Sequence, residues 1–226
     1  MADQPQPAAP GYTPTERTTL RRLPERAAYD RGTVHAILDE GFVCHVGFEL
    51  LGQPYVVPTG YARVGELLYL HGSSGSRLGL RSELPVCVTV TLLDGIVLAR
   101  SAFHHSFNYR SVTVLGRTRA VTDPDEKAMC LAAIVDHIVP GRSEEIRGGT
   151  AKELAATAVL ALPLDEVSAK IRTGGVKDEP EDLGLPYWAG IVPLYQVPGT
   201  PEPDDGVAGP VPAHVRAWPP AAGPRG

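Results

Sequence analysis

The chain of 226 residues is 43% hydrophobic and 21% charged, the composition of an ordinary globular protein long enough for one large domain or two small ones. Its net charge of −5 leaves no electrostatic footprint for nucleic acid, and no apolar run reaches the length of a bilayer span. The opening MADQPQPAAPGYTPTER lacks the basic patch and apolar core of a secretory signal, so the expected compartment is the cytoplasm.

Residues 1–17 hold Pro, Ala and Gln with little to bury, which predicts disorder. Asp30 caps a helix running to about Glu40, with Val34, Ile37 and Leu38 on one face and Gly41 as its stop. Strands follow over 42–49, 54–63 and 67–71, joined by tight turns, the pattern of an antiparallel meander. HGSSGSR (71–77) leads into a short helix over 76–82, and 85–93 is an apolar strand. Asp94-Gly95 is the strongest hairpin signal in the chain and predicts a return through 96–101. A further strand is expected over 111–122. Asp123-Pro124 then opens a helix over 125–139 that stops at Pro140-Gly141. A shorter helix fits 151–156, and strands over 157–164 and 165–172 complete the β region. Residues 173–186 read as loop, and 198–226 as a disordered tail rich in Pro and Gly. Cys44, Cys87 and Cys130 each sit in an apolar context and read as buried reduced thiols. The strands are joined by turns rather than crossover helices. That argues for a mainly β fold with flanking helices, an antiparallel barrel whose closure removes exposed edges.

The densest polar stretch is 103–110, FHHSFNYR. A core does not need it, because buried polar groups cost free energy unless partnered. It is therefore a surface turn or the wall of a polar ligand site. On an extended chain Tyr109 and Ser111 point one way and Arg110 the other. HGSSGSR can cradle an anion through backbone N–H groups, hydroxyls and Arg77, although a plain surface loop looks the same. In VPTGYAR (57–63), Pro and Gly inside a strand mark an edge, a bulge or a close ligand approach. Lys170 and Arg172 share one face of a strand, either solvated or set for an anion. Trp188, between Pro and Gly, is a core plug or a stacking platform. No G-x-S-x-G elbow is present, and no acid is placed to orient a histidine. His71, His104 and His105 can serve as bases or ligands, but no metal motif and no catalytic side chain emerges. The chemistry points to a cofactor.

With these motifs in order, VPTGYAR, LYLHGSSGSR (68–77), FHHSFNYRSVTVLG (103–116), SAKIRTGG (168–175) and LPYWAGIVPL (185–194), the chain resembles the pyridoxamine 5′-phosphate oxidase-like family of flavin-nucleotide-binding split β-barrels, near its nitroimidazole-reductase-type branch. The resemblance covers about 18–194. It implies an FMN-binding split barrel over 18–197, a homodimer with the cofactor at the interface, and an oxidoreductase passing electrons from reduced flavin to a small organic acceptor. It places Pro58, Thr59 and Tyr61 along the flavin, and His71, Gly72, Ser73, Ser76 and Arg77 around the ribityl-phosphate. Ser106, Tyr109, Arg110 and Ser111 complete the pocket, and Lys170, Arg172 and Trp188 form a C-terminal contribution. Haem or a deazaflavin in place of FMN, a haem-degrading role, and a non-catalytic flavin-binding module are the alternatives it leaves. It implies neither a nucleic-acid nor a membrane partner.

Overall fold

The structure, a computed structural model, describes residues 11–76 and 83–218. In chain order the elements are β1 (Ala27–Ala28), α1 (Arg31–Glu40), β2 (Val43–Leu50), β3 (Gln53–Val64), β4 (Leu67–Ser73), β5 (Pro85–Leu98), β6 (Ser106–Arg117), β7 (Arg119–Ala120), α2 (Pro124–Ile138), α3 (Ala151–Ala156), β8 (Thr157–Pro163), β9 (Glu166–Arg172), β10 (Gly190–Pro193) and α4 (Ala213–Arg216). Each longer helix starts where its capping residue dictates. Asp30, Asp123 and Thr150 accept from the backbone N–H three residues on, and Glu153 closes a capping box on Thr150. Gly41 ends α1 because nothing larger fits: a Cβ there would lie 2.5 Å from Val90 Cγ1.

All strand pairs are antiparallel, in the order β1-β9-β6-β5-β2-β3-β4-β8-β7, with β10 on β5. The sheet closes because β6 runs through buried Thr118 into β7, which pairs with β8. One continuous stretch of chain thus bridges the two ends of the ladder. Gly116 permits this bend, since a Cβ there would meet Leu162 Cδ1 at 2.8 Å. Alternate residues fill the barrel: Cys44, Val46 and Phe48 from β2, Val86, Val88 and Val90 from β5, Val112 and Val114 from β6, and Leu160 and Leu162 from β8. A second, outer cluster of Tyr69, Val121, Cys130, Val159 and Ala161 seats α2 against β3, β4 and β8. Burial pushes the Cys44 thiol up to about 12. Cys44 and Cys130 are buried as expected, whereas Cys87 is half-buried on the outside of the wall.

Three expectations are corrected. Asp94-Gly95 makes no hairpin: β5 continues straight on, with a register shift between Leu93 and Gly95 and resumed pairing of Ile96 with Phe107. The irregularity is a bulge instead of a turn; Gly95 admits the close approach of β10, since a Cβ there would lie 3.2 Å from Val192 O, and Arg110 holds the Asp94 carboxylate in place. Residues 106–110 of the polar stretch are consequently the start of β6, while 103–105 belong to the 3-10 turn ahead of it and its cap. Residues 11–17 of the N-terminal segment are ordered, and 1–10 lie outside the described residues: Tyr12 is buried, its N–H donates to Tyr29 O at 2.8 Å and its hydroxyl donates to Glu66 at 2.8 Å. The C-terminal tail is also anchored, through His214 Nδ1 3.1 Å from Glu145 and Trp218 tilted against Phe42 with ring centroids 5.4 Å apart. The helix expected over 76–82 lies almost wholly outside the described residues. Among the described residues no helix is long and apolar enough to cross a membrane.

Candidate cofactor-binding face

Because inward residues alternate with outward ones, the pairing register states which side chains share the outer wall. One rung runs Pro58–His45–Thr89–Thr113–Ser168 across β3, β2, β5, β6 and β9. The next runs Thr91–Ser111–Lys170, and the third Leu93–Tyr109–Arg172. At the other side His71 stands beside Gly60, where a Cβ would lie 3.8 Å from the imidazole Cε1. The fold therefore brings Pro58, His71, Tyr109, Ser111, Lys170 and Arg172 onto one curved face. Between its ends lie five strand spacings, roughly 24 Å at ~4.8 Å each.

The electrostatics of this face are unbalanced at the β9 end. Arg172 is only 6% exposed, yet it donates to neutral acceptors: Asn108 Oδ1, Gly174 O at 3.5 Å and Gly175 O at 3.3 Å. Burial, with Arg26 nearby, holds its pKa below the usual arginine value. Asn108 also donates to Gly174 O at 3.1 Å and so fixes the loop over the guanidinium. Among the described residues no carboxylate pairs with Arg26, Lys170 or Arg172. A buried cation with neutral partners alone is chemically suited to an anion.

Several sequence-predicted residues lie elsewhere. Tyr61 is corrected to a core residue: it is fully buried, its hydroxyl donates to Leu38 O at 2.5 Å, and burial raises its pKa. Its even spacing from Thr59 turns both toward the barrel interior, and the Thr59 hydroxyl is spent on Gly60 O and His71 O. Arg110 is corrected to a structural ion-pair residue. Its guanidinium is doubly bonded to Glu40 (2.6 and 2.9 Å) and to Asp94 (2.9 and 2.7 Å), which raises its pKa. Ser106 opens β6 opposite Val97. Gly72, Ser73 and Ser76 form a tight turn at the end of β4, with Ser76 N–H donating to Ser73 O at 2.9 Å. Arg77 lies outside the described residues. Trp188 is 67% exposed and folds over Gly190, so it is no core plug. His45, Thr89 and Asn108 belong to the site region and were missed. The signal for His45 and Thr89 was a polar residue at an outward position of an apolar strand, VCHVGF and VCVTVT, while Asn108 lies within the polar stretch 103–110.

The histidines divide by what their nitrogens do. His35 faces the Tyr12 hydroxyl at 2.9 Å and Glu66 at 3.3 Å. His137 is 2.6 Å from Gly41 O, and His104 lies 3.4 Å from Glu179. His71 Nδ1 and His214 Nε2 are buried without a partner. His105 is exposed, with Nδ1 2.9 Å from Ser101 O. The donor set thus fits both an anionic nucleotide, at the β9 cations, and a group that takes an imidazole nitrogen.

The family model of pyridoxamine 5′-phosphate oxidase matches residues 30–171. The chain is similar to the flavocytochrome Anf3 of Azotobacter vinelandii, with 42% identity over 91% of this chain and 97% of that one, at a TM-score of 0.85. It is also similar to an FAD and haem binding protein of Mycobacterium smegmatis, with 40% identity over 85% and 96% of the two chains, at a TM-score of 0.80. A candidate 5-nitroimidazole antibiotic resistance protein of Bacteroides thetaiotaomicron shares the fold, at 24% identity over 64% and 86% of the chains and a TM-score of 0.53. No curated protein matches. The antiparallel barrel closed by β6 and β7, the matched motifs and these two close relatives agree: the chain belongs to the pyridoxamine 5′-phosphate oxidase family and has its split β-barrel fold.

Proposed function

We propose that the protein is a flavin- and haem-binding redox protein that works as a homodimer, with the flavin held against the outer wall of the barrel. The observation that carries this reading is the outer face itself. It gathers hydroxyls (Ser111, Tyr109, Thr89) beside cations, Lys170 and Arg172, for which the described residues supply no carboxylate. These groups are suited to hold a flavin nucleotide: the cations its phosphate, the hydroxyls its polar ring edge. A bound flavin supplies hydride and single-electron chemistry, and the chain supplies position, charge and exclusion of water. FAD is favoured over FMN because a relative at 40% identity is named for FAD and haem.

The homodimer reading is supported by the width of the face and by its apolar content. Val43, Val56 and Leu93 are 50%, 69% and 48% exposed along the same wall, a patch that a second copy would cover. With two copies face to face, the His71 end of one and the Arg172 end of the other can serve a single cofactor. Electrons then pass to haem or to a small organic acceptor.

The test is a visible absorption spectrum of the purified chain after addition of FAD, FMN and hemin in turn, with the mass of each complex measured in solution. Paired flavin bands and a Soret band on a dimer of twice 24.1 kDa are expected. A monomer that takes up neither flavin at micromolar concentration would sink the flavin half of the reading.

A further inference from the structure

Arg172 and Asn108 are both buried, at 6% and 8% exposure, and they are bonded to each other. A guanidinium only donates and a carbonyl only accepts, so the neighbours of the Asn108 amide fix which way it points. Its Oδ1 accepts from Arg172 Nη1, and its Nδ2 donates to Gly174 O at 3.1 Å. Gly174 O also accepts from Nη1 at 3.5 Å, and Gly175 O accepts from Nη2 at 3.3 Å. Gly174 stands at φ +99, a conformation that favours glycine, so the loop that brings these carbonyls to the guanidinium depends on it. One amide thus grips both the arginine and the loop over it.

The amide holds Arg172 without neutralising it. Other withdrawn charges in the chain meet a counter-charge. The Asp178 side chain, 1% exposed, has Arg100 Nη1 at 2.7 Å, and Arg110 lies between Glu40 and Asp94. Burying a charge costs free energy unless it is paired. An aspartate has nearly the shape of asparagine and would supply the missing charge from the same position. The neutral residue stands there instead, and further cations gather around it. Lys170 is two residues back on β9, and Arg26 precedes Ala27, which pairs with Lys170. After burial, the charge of Arg26 is the next cause that lowers the Arg172 pKa. Arg172 Nε makes no bond among the described residues, and Nη2 spends one of its two hydrogens on Gly175 O. Donors therefore remain for the paired bonds by which a guanidinium takes a phosphate.

We infer that Asn108 is the positioning residue of a phosphate site at Arg172, aiming the guanidinium while leaving its charge uncountered, so that the chain selects flavins that carry a phosphate over riboflavin. The inference rests on the flavin half of the proposed function. Asn108 touches the arginine and the loop, and it acts on the ligand through them.

The experiment titrates the full chain with FMN and with riboflavin, which differ by the phosphate alone, and reads flavin fluorescence. Wild type is compared with Asn108→Asp, Asn108→Ala and Arg172→Met, and with Asn108→Asp in the Arg172→Met background. Wild type is expected to bind FMN more tightly than riboflavin. N108D should weaken FMN binding at least about tenfold by pairing Arg172 internally. N108A adds no charge and should weaken it only about threefold. Riboflavin affinity should be the same in all of these proteins, and N108D should change nothing further once Arg172 is methionine. A loss in N108A as large as in N108D means that Asn108 has a packing role alone, and overturns the inference. A parallel loss of riboflavin binding, or unchanged FMN affinity in N108D, overturns it too. If N108D does not fold, the contrast between FMN and riboflavin in N108A decides the matter. Wild type that binds FMN and riboflavin equally overturns the phosphate site and leaves flavin binding standing; wild type that binds neither overturns both.

Discussion

Arg110 and Arg172 sit on neighbouring strands of one sheet, both largely withdrawn from water, and the molecule treats them oppositely. Arg110 lies at the barrel end between two carboxylates, Glu40 and Asp94, and every strong direction of its guanidinium is used. Arg172 lies under a glycine loop with neutral oxygens alone around it. The first charge is settled inside the chain and ties α1 to the β5 bulge. The second has hydrogen-bond partners but no counter-charge, which is why the proposed flavin phosphate is assigned to it. An arginine in a functional-looking motif is thus assigned by its counter-charge, not by the motif.

Breaking the settled side should give the larger effect. Arg110→Ala leaves two half-buried carboxylates facing each other and is expected to cost about 3 kcal/mol of stability, measured by urea unfolding. Flavin affinity of the folded protein should be unchanged; a drop in that affinity with unaltered stability would reverse the contrast. On the unsettled side, Arg172→Met keeps the bulk and removes the charge. Flavin binding should weaken at least about tenfold, roughly 1.5 kcal/mol, read by fluorescence quenching. Equal affinity in the two proteins would show that the β9 cations do not meet the phosphate.

The smallest effect belongs to a second settled network, where Tyr12, Arg31, His35 and Glu66 pin the N-terminal segment to the barrel. Burial, with Arg63 nearby, lowers the His35 pKa in the folded state. The unfolded chain then takes up the proton first as pH falls, so stability is full above about pH 6.5 and declines below it. His35→Gln should flatten that part of the stability–pH curve. An unchanged slope would place the pH sensitivity elsewhere, and a stability that rises toward pH 5.5 would show that the Glu66 attraction outweighs burial.

Much of the fold was legible because it follows from local chemistry. Asp30, Asp123 and Thr150 cap helices wherever the chain is placed, and the alternation in VCVTVT states that Thr89 and Thr91 share a face. The Asp94-Gly95 signal was legible too, but ambiguous. The same pair of residues suits a hairpin or a bulge, and the choice is made by β6, which continues to pair beyond it. Tyr61 sits in a motif with Pro58 and Thr59, yet its side chain falls on the inward phase of β3, and one step of register separates a site residue from a core residue.

The sequence by itself determined the β-rich class, the capped helices, the motif order that marks the family, and the polar strand from which the site is built, because each depends on residues within a few positions of one another. Tertiary structure alone decided which cations meet a counter-charge. Arg110 is neutralised by Glu40, 70 residues away, and by Asp94, 16 away, while Arg172 meets no carboxylate at all among the described residues. Coulomb energy depends on distance in space and on burial, and neither is written in the spacing of residues along a chain.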